Sequence, residues 1–523
     1  MVRSENIPNF AVTKKANALM KSNIQTFLSM KRLLLLLILP LIATSCWKDI
    51  FGPDTTPSKH VIYYTSTDGN VIDIHRDMMD QLFGTRILSN TYEDGVGKIV
   101  FNRDITGVDT WFNSSLRLKT IILPTSVNHI DNNAFISCSN LESVVMTENV
   151  TWVGNGAFAD CISLIDVDLP SSVTKIGQGA YSGCEGLTYV ELHEGLELIG
   201  DNLFKDCTNL KCITLPESLT QIGEGLFVGC NNLKEFHGKY ASECGTYLHD
   251  GDTLITIAPA GMTTYSTPEH ITTIGNSAFR GYNEIESITL GENVTTIGNM
   301  SFYDCDALSD INLHDNISSI GEYAFASCWN LETIVLPNSI DTIAPGTFAQ
   351  CSNLLNITIP ESVTTIGNSA FAGCHYTKTI PIPDSVTTIG KRAFTGCENL
   401  QSIVIPEGVT VIEEGTFSSC GCLKSVTLPN SLVKIGYQAF FYCTVLDEIT
   451  IPSGVREIED RAFAESVHLT NIYCKPSYPP TTYSKVLQNS PEATIYVPRG
   501  SKRHYEKTEG WRNYADRIVE YDY

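Results

Sequence analysis

A unit of 23 residues recurs along almost the whole chain and leaves few folds open to it. An aromatic residue marks each unit. It falls at Phe112, Phe135, Phe158, Tyr181, Phe204 and Phe227. It resumes at Phe279, Phe302, Phe325, Phe348, Phe371, Phe394, Phe417, Phe440 and Phe463. The one long step, from Phe227 to Phe279, is 52 residues, or two units plus six. A strict period of this length predicts a repeat solenoid in which each unit is one coil stacked on its neighbours.

The other positions keep step with the aromatic anchor. Three residues after it comes cysteine, from Cys138 to Cys230 in the first run and from Cys305 to Cys443 in the second. Aliphatic residues follow at six, nine and eleven, as in Leu331, Ile334 and Leu336. That L-x-x-I-x-L spacing predicts a short strand with alternate residues inward. Proline often comes next, as at Pro170 and Pro337; having no N–H to give a ladder, it ends the strand. Then come Val or Leu, Ile and commonly glycine, as in Val173, Ile176 and Gly177, or Val363, Ile366 and Gly367. The glycine is expected to admit a turn conformation that a Cβ would oppose. One coil cannot stand alone. It offers about six inward apolar groups at roughly 1.5–3 kcal/mol each, whereas ordering its backbone costs about 1–2 kcal/mol per residue. Stacking reverses the balance by burying both sides of every coil.

The pattern LPxSVTxIGxxAFxxCxxLxxI resembles the BspA-like leucine-rich repeats of bacterial surface proteins, also described in treponemes. The resemblance runs from about Val100 to Cys474. It implies a leucine-rich-repeat solenoid of 23-residue units with short stacked parallel strands and caps at both ends. It also implies surface exposure and adhesion, and it brings no catalytic residues.

Residues 1–29 are polar and mixed, and read as an extension upstream of Met30; the alternative is a longer basic leader. Residues 30–45 read as a signal peptide: Lys31 and Arg32, then an apolar run of about ten residues, too short to span a membrane. Ala43, Thr44 and Ser45 precede Cys46, which resembles the lipobox of bacterial lipoproteins. That likeness implies cleavage before Cys46 and its acylation, hence a membrane anchor. The alternative is an ordinary signal peptide with a chance cysteine. Residues 46–58 form the tether, 59–99 the N-terminal cap and 100–237 the first block of repeats. Residues 238–260 are an irregular repeat with a hairpin expected through Asp250-Gly251, most simply an insertion in one continuous rod. The second block spans 261–474, and 475–523 is expected to cap it with one strand and a short helix.

The chain carries a formal charge of −23. Loss of residues 1–45 removes six basic residues and one acid, leaving 29 against 57 and a charge of −28. Such a balance argues against nucleic acid and anionic lipid as partners and suits a soluble extracellular rod. Seventeen cysteines in an exported chain would suggest disulfides. Twelve of them, however, hold one repeat position beside Phe and Leu, as small buried apolar residues do. Their Cβ vectors should run parallel, so free thiols are expected. No paired C-x-x-C, H-E-x-x-H or G-x-S-x-G motif is present, so no metal, cofactor or catalytic site is assigned.

What remains is the outward face of the strand ladder, eight and ten residues after each anchor. In the second block it is mostly small and polar, as at Thr358, Thr427 and Thr450. In the first block it carries Asp166, Asp168, Tyr189, Glu191, Glu235 and His237, the candidate ligand-binding residues. The expected function is non-catalytic binding or adhesion to a host or bacterial surface protein or glycan, from a lipid anchor on the outer membrane. The alternative is a scaffold or capture component of a cell-envelope complex, such as a nutrient-uptake system.

Overall fold

The computed structural model describes residues 59–74, 85–490 and 493–523. The expected upstream extension, signal peptide, Cys46 lipidation site and tether lie outside the described residues, as do positions 75–84 within the expected N-terminal cap. Among the described residues no helix is long and apolar enough to cross a membrane.

Each coil has three sides. The first is the foreseen strand. Thr333–Val335, for example, pairs parallel with Asn356–Thr358, each residue facing its counterpart 23 positions on. Ile334 points inward at 3% exposure, while Thr333 and Val335 face solvent. The proline after the strand heads a tight turn, in which the Val173 N–H donates to the Pro170 carbonyl at 3.0 Å. The second side is a two-residue strand that spacing alone did not disclose. Thr342–Ile343 pairs with Thr365–Ile366, and six such strands from Gly107–Val108 to Gln221–Ile222 form one parallel sheet. The V-x-x-I spacing offers too few alternations to stand out as a strand.

The third side carries the aromatic anchor in a run of turns. The residues two before and two after it sit at positive φ in nearly every coil, as at Tyr323 (54°) and Ser327 (59°) around Phe325. For a side chain with a Cβ this conformation costs about 1–2 kcal/mol. The compensation is axial bonding: Tyr323, Phe325 and Ser327 all donate N–H to the next coil, at 2.9, 2.9 and 2.8 Å. The anchors stack in two files, with ring centroids from 5.1 Å (Phe279–Phe302) to 6.0 Å (Phe204–Phe227). Their rings are nearly parallel, within 2° at Phe394–Phe417, in the offset arrangement that aromatic quadrupoles favour.

The cysteines of the described residues are free, and those of the repeat position are buried. They are more than fillers. Each donates its S–H to the carbonyl of the anchor one coil back, from Cys138 to Phe112 (2.8 Å) through Cys328 to Phe302 (3.1 Å) to Cys443 on Phe417 (3.2 Å). Ser466 takes the same position in the coil of Phe463 and makes the same bond to Phe440, at 3.0 Å. Burial pushes the thiols of Cys351, Cys397 and Cys443 up to about 12.

The repeat glycine has a different cause from the one expected. Neither Gly177 nor Gly367 has a positive φ. A Cβ on Gly177 would instead lie 2.6 Å from the backbone nitrogen of Asn155, and one on Gly367 would lie 2.6 Å from that of Pro345. The residue lets one coil's backbone close on the previous one; it does not shape a turn.

Both caps cover open strand edges. At the N-terminus Val61–Ser66 pairs antiparallel with Leu118–Ile122 on one side and with Val96–Phe101 on the other, and Ile87–Glu93 completes the meander. At the C-terminus Thr494–Pro498 extends the ladder, and a further strand, Ile518–Tyr521, pairs with it. The expected helix is two pieces: an α-helix at Lys502–Lys507 and a 3-10 turn at Trp511–Arg517, broken at Gly510, where φ is 84°. Tyr505, Trp511 and Ile518 are buried, with Tyr505 Oη donating to Pro476 O and Trp511 Nε1 to Pro480 O.

The insertion forms the expected hairpin, Tyr247–Asp250 against Thr253–Ile257, turned by Gly251 at φ 59°. Thr253 and Leu254 then enter the second strand row beside Thr273 and Ile274. The buried apolar residues here form two clusters, one ending at Leu248 and Ala258, the other beginning at Leu254 and Ile257. Backbone bonds such as Ala260 N–H to Leu233 O (3.0 Å) reach across the insertion, but both strand rows break there and the core changes hands. A polar bond from Asn276 Nδ2 to Glu224 Oε1 (2.9 Å) also crosses it.

Candidate functional site

The outward face of the first strand row is interrupted in the coil of Phe158. Residues 164–170 form no strand, so the sheet that ends at Ser143–Val145 is separated from the one that begins at Tyr189–Glu191. The local sequence is Ile165-Asp166-Val167-Asp168. Two aspartates in three residues oppose strand formation. The Asp166 carboxylate accepts the Val167 N–H at 2.8 Å, taking a donor that the ladder would have used. A second interruption, in the coil of Phe371, has another cause. Pro381 sits where a ladder N–H is needed, and only a bridge from Thr379 to Ser402 remains.

At the first interruption the coils leave a groove of about 550 Å³. Asp166, Asp168, Glu191, His193, Glu194 and Thr214 line it, and no Lys or Arg does. Glu194 is held from outside, accepting N–H donors from Glu217 (3.1 Å) and Ser218 (3.3 Å) of the next coil. Asp168 keeps part of its surface in solvent. Even so, loss of water in the groove, followed by the charges of Asp166 and Glu148, raises its carboxyl above the usual range. The groove therefore gathers four carboxylates, a lining complementary to cationic side chains.

Of the six candidate residues, Asp166, Asp168 and Glu191 meet in this groove. Tyr189 stands beside it on the strand edge, 54% exposed. Glu235 and His237 are not part of it. They lie two coils beyond Glu191, next to the insertion, with His237 Nε2 3.7 Å from Glu235 Oε1. There they meet a residue that spacing had passed over, Cys212. It faces Glu235 across the parallel pair, and the three ligand-capable atoms lie within 4.8 Å of one another. Burial, then the charge of Glu235, pushes the Cys212 thiol up to about 12. Cys212 falls eight residues after Phe204, off the cysteine position of the repeat. That displacement was the available signal.

The chain matches the family described as BspA type leucine rich repeat region over residues 98–237, 259–378 and 364–490. No curated protein matches it in sequence. Among solved structures, a leucine-rich repeat protein from Bacteroides ovatus is similar at 22% identity, covering 83% of this chain and 98% of that one, with a TM-score of 0.41. A leucine rich cell surface protein from Faecalibacterium prausnitzii shares 24% identity over 64% of this chain and 85% of its own, with a TM-score of 0.36. The pneumococcal vaccine antigen PcpA shares 18% identity over 83% and 87%, with a TM-score of 0.36.

Proposed function

Because the chain belongs to the BspA-type leucine-rich repeat family, we propose that it is a non-catalytic binding protein of the bacterial cell surface, held to the outer membrane by lipid on Cys46. Its ligand is a protein segment bearing Lys or Arg, taken up in the groove of Asp166, Asp168 and Glu191. The observation that carries this reading is the interrupted strand row. The stack of coils is opened there, and the opening gathers the carboxylates of Asp166, Asp168, Glu191 and Glu194 from neighbouring coils. A pre-formed site on a rigid scaffold loses little entropy on binding. Tyr189 beside it adds an exposed aromatic surface of the kind that anchors protein partners. Leader and lipobox residues from Met30 to Cys46 support export and acylation.

The test is a binding panel of matrix proteins, envelope proteins and glycans on the purified protein. A basic protein should be captured, and capture should weaken with salt. The variant Asp166→Asn, Asp168→Asn, Glu191→Gln should lose at least about tenfold in affinity, or about 1.4 kcal/mol. A control with Thr358, Thr427 and Thr450 changed to Ala should bind as before. Loss of binding in the control with retention in the groove variant would place the site on the wrong block. Capture of glycans alone would overturn the ligand class.

A further inference from the structure

The geometry points to a transition-metal site at Cys212, Glu235 and His237, suited to Zn²⁺ or a cation of similar preference. Three donors of different type converge there: a thiol sulfur, a carboxylate oxygen and an imidazole nitrogen, all within 4.8 Å of one another. They come from adjacent parallel strands, Cys212–Leu215 and Glu235–Gly238, so backbone pairing fixes their relative positions. Cys212 and Glu235 are register partners, and His237 is on the same face two residues beyond Glu235.

A tetrahedral zinc site has bonds of about 2.0–2.3 Å, which puts its ligand atoms about 3.3–3.8 Å apart. His237 Nε2 and Glu235 Oε1 already stand at 3.7 Å. That distance is too long for a hydrogen bond and a few tenths of an ångström beyond that of a nitrogen and an oxygen bound to one zinc ion, a gap that a small side-chain rotation closes. The His237 Nε2 atom is shielded from solvent and has no hydrogen-bond partner among the described residues. A buried ring nitrogen left this way is costly unless something accepts or coordinates it. The donor set selects the cation: sulfur and imidazole nitrogen suit zinc and its neighbours, whereas calcium and magnesium take oxygen. Three protein ligands leave a fourth position for water or a partner's side chain. On binding, Cys212 releases its proton to solvent and coordinates as thiolate, and His237 coordinates as the neutral ring. The site stands independently of the acidic groove and of the partner proposed for it.

The test uses the purified protein, freed of metal and kept reduced, titrated with zinc chloride by calorimetry and with Co²⁺ by absorption. One equivalent of zinc should bind, and Co²⁺ should show a thiolate charge-transfer band. Cys212→Ser should abolish the band, and Cys212→Ser and His237→Gln should each weaken zinc by at least about tenfold. Cys422→Ser, which removes an exposed thiol elsewhere, should change neither. Circular dichroism checks folding; if Cys212→Ser does not fold, Glu235→Gln with His237→Gln replaces it and should weaken zinc to the same degree. Absence of saturable zinc binding, or an unchanged band and affinity in the folded variants, would overturn the assignment.

Discussion

The bond from the repeat cysteine to the preceding anchor separates two accounts of why cysteine occupies that position. Cys328 is fully buried and donates to Phe302 O at 3.1 Å. Cys328→Ala removes one buried atom, worth about 1 kcal/mol of transfer free energy. It also withdraws a donor from a buried carbonyl, at about 1–2 kcal/mol. The expected loss is about 2–3 kcal/mol. Cys328→Ser keeps a donor in place and gives up only part of the apolar contact, so it should cost about 1 kcal/mol less than the alanine change. Ser466 already makes the equivalent bond to Phe440 in its own coil. Stacked repeats need not unfold in one step. The urea midpoint should therefore be read beside hydrogen exchange at the Leu331 amide, which bonds to Cys328 O at 3.2 Å. If serine destabilises as much as alanine or more, the thiol is an apolar filler and the donor argument fails.

Alkaline pH should unfold the protein steeply. The thiols of Cys351, Cys397 and Cys443 titrate near 12 in the folded state against an ordinary value near 9. The folded state thus retains protons that the unfolded chain releases. Their stabilisation is complete below pH 9 and is lost as pH rises from 9 toward 12, by about 1.4 kcal/mol per thiol per unit. Melting temperature followed against pH should break near 9, and changing these three residues to Ser should flatten the fall; an unchanged slope would assign it to other groups. At Gln438, where φ is 54°, Gln438→Gly should leave stability level or raise it by up to about 1 kcal/mol, while Gln438→Val should lower it by about 1–2 kcal/mol. Chemical denaturation giving both the same sign would contradict the left-handed assignment. Globomycin, which blocks lipoprotein signal cleavage, should leave a larger precursor, and Cys46→Ala should abolish lipid labelling; normal labelling of that variant would end the anchor proposal.

The solenoid, its period and the inward strand positions were legible because each is repeated many times, and repetition makes weak local signals add. The second strand row was not, since two residues give no alternation to read. Nor were the left-handed residues around each anchor, where Asn, Ser, Gly, Tyr, Arg and Gln all occur. There the stacking of coils overrides residue preference, so composition at the position carries little information. The glycine's lack of a Cβ is visible in sequence, but what that lack permits is not, because closeness to Asn155 or Pro345 is a property of the neighbouring coil. At the candidate site the acidic character of the first block was visible. The groove was not, because it arises from a missing strand at Asp166–Asp168. Cys212 joins Glu235 only through register between coils 23 residues apart, a relation no linear motif expresses.

The break between the two aromatic files has a mechanical side. Within each block, pulling the chain ends apart loads every coil through the same axial bonds, the same ring stack and one shared apolar core. At the insertion that sharing stops: Phe227 meets Phe236 at a tilt instead of stacking on the next anchor, and Phe279 meets Tyr265 edge-on. Under tension the stack of coils has a seam there. Single-molecule stretching should record two separate rips, one per block, with lengths in the ratio of the residues on either side. Under load the protein would then give way by halves, one block lengthening while the other keeps its shape.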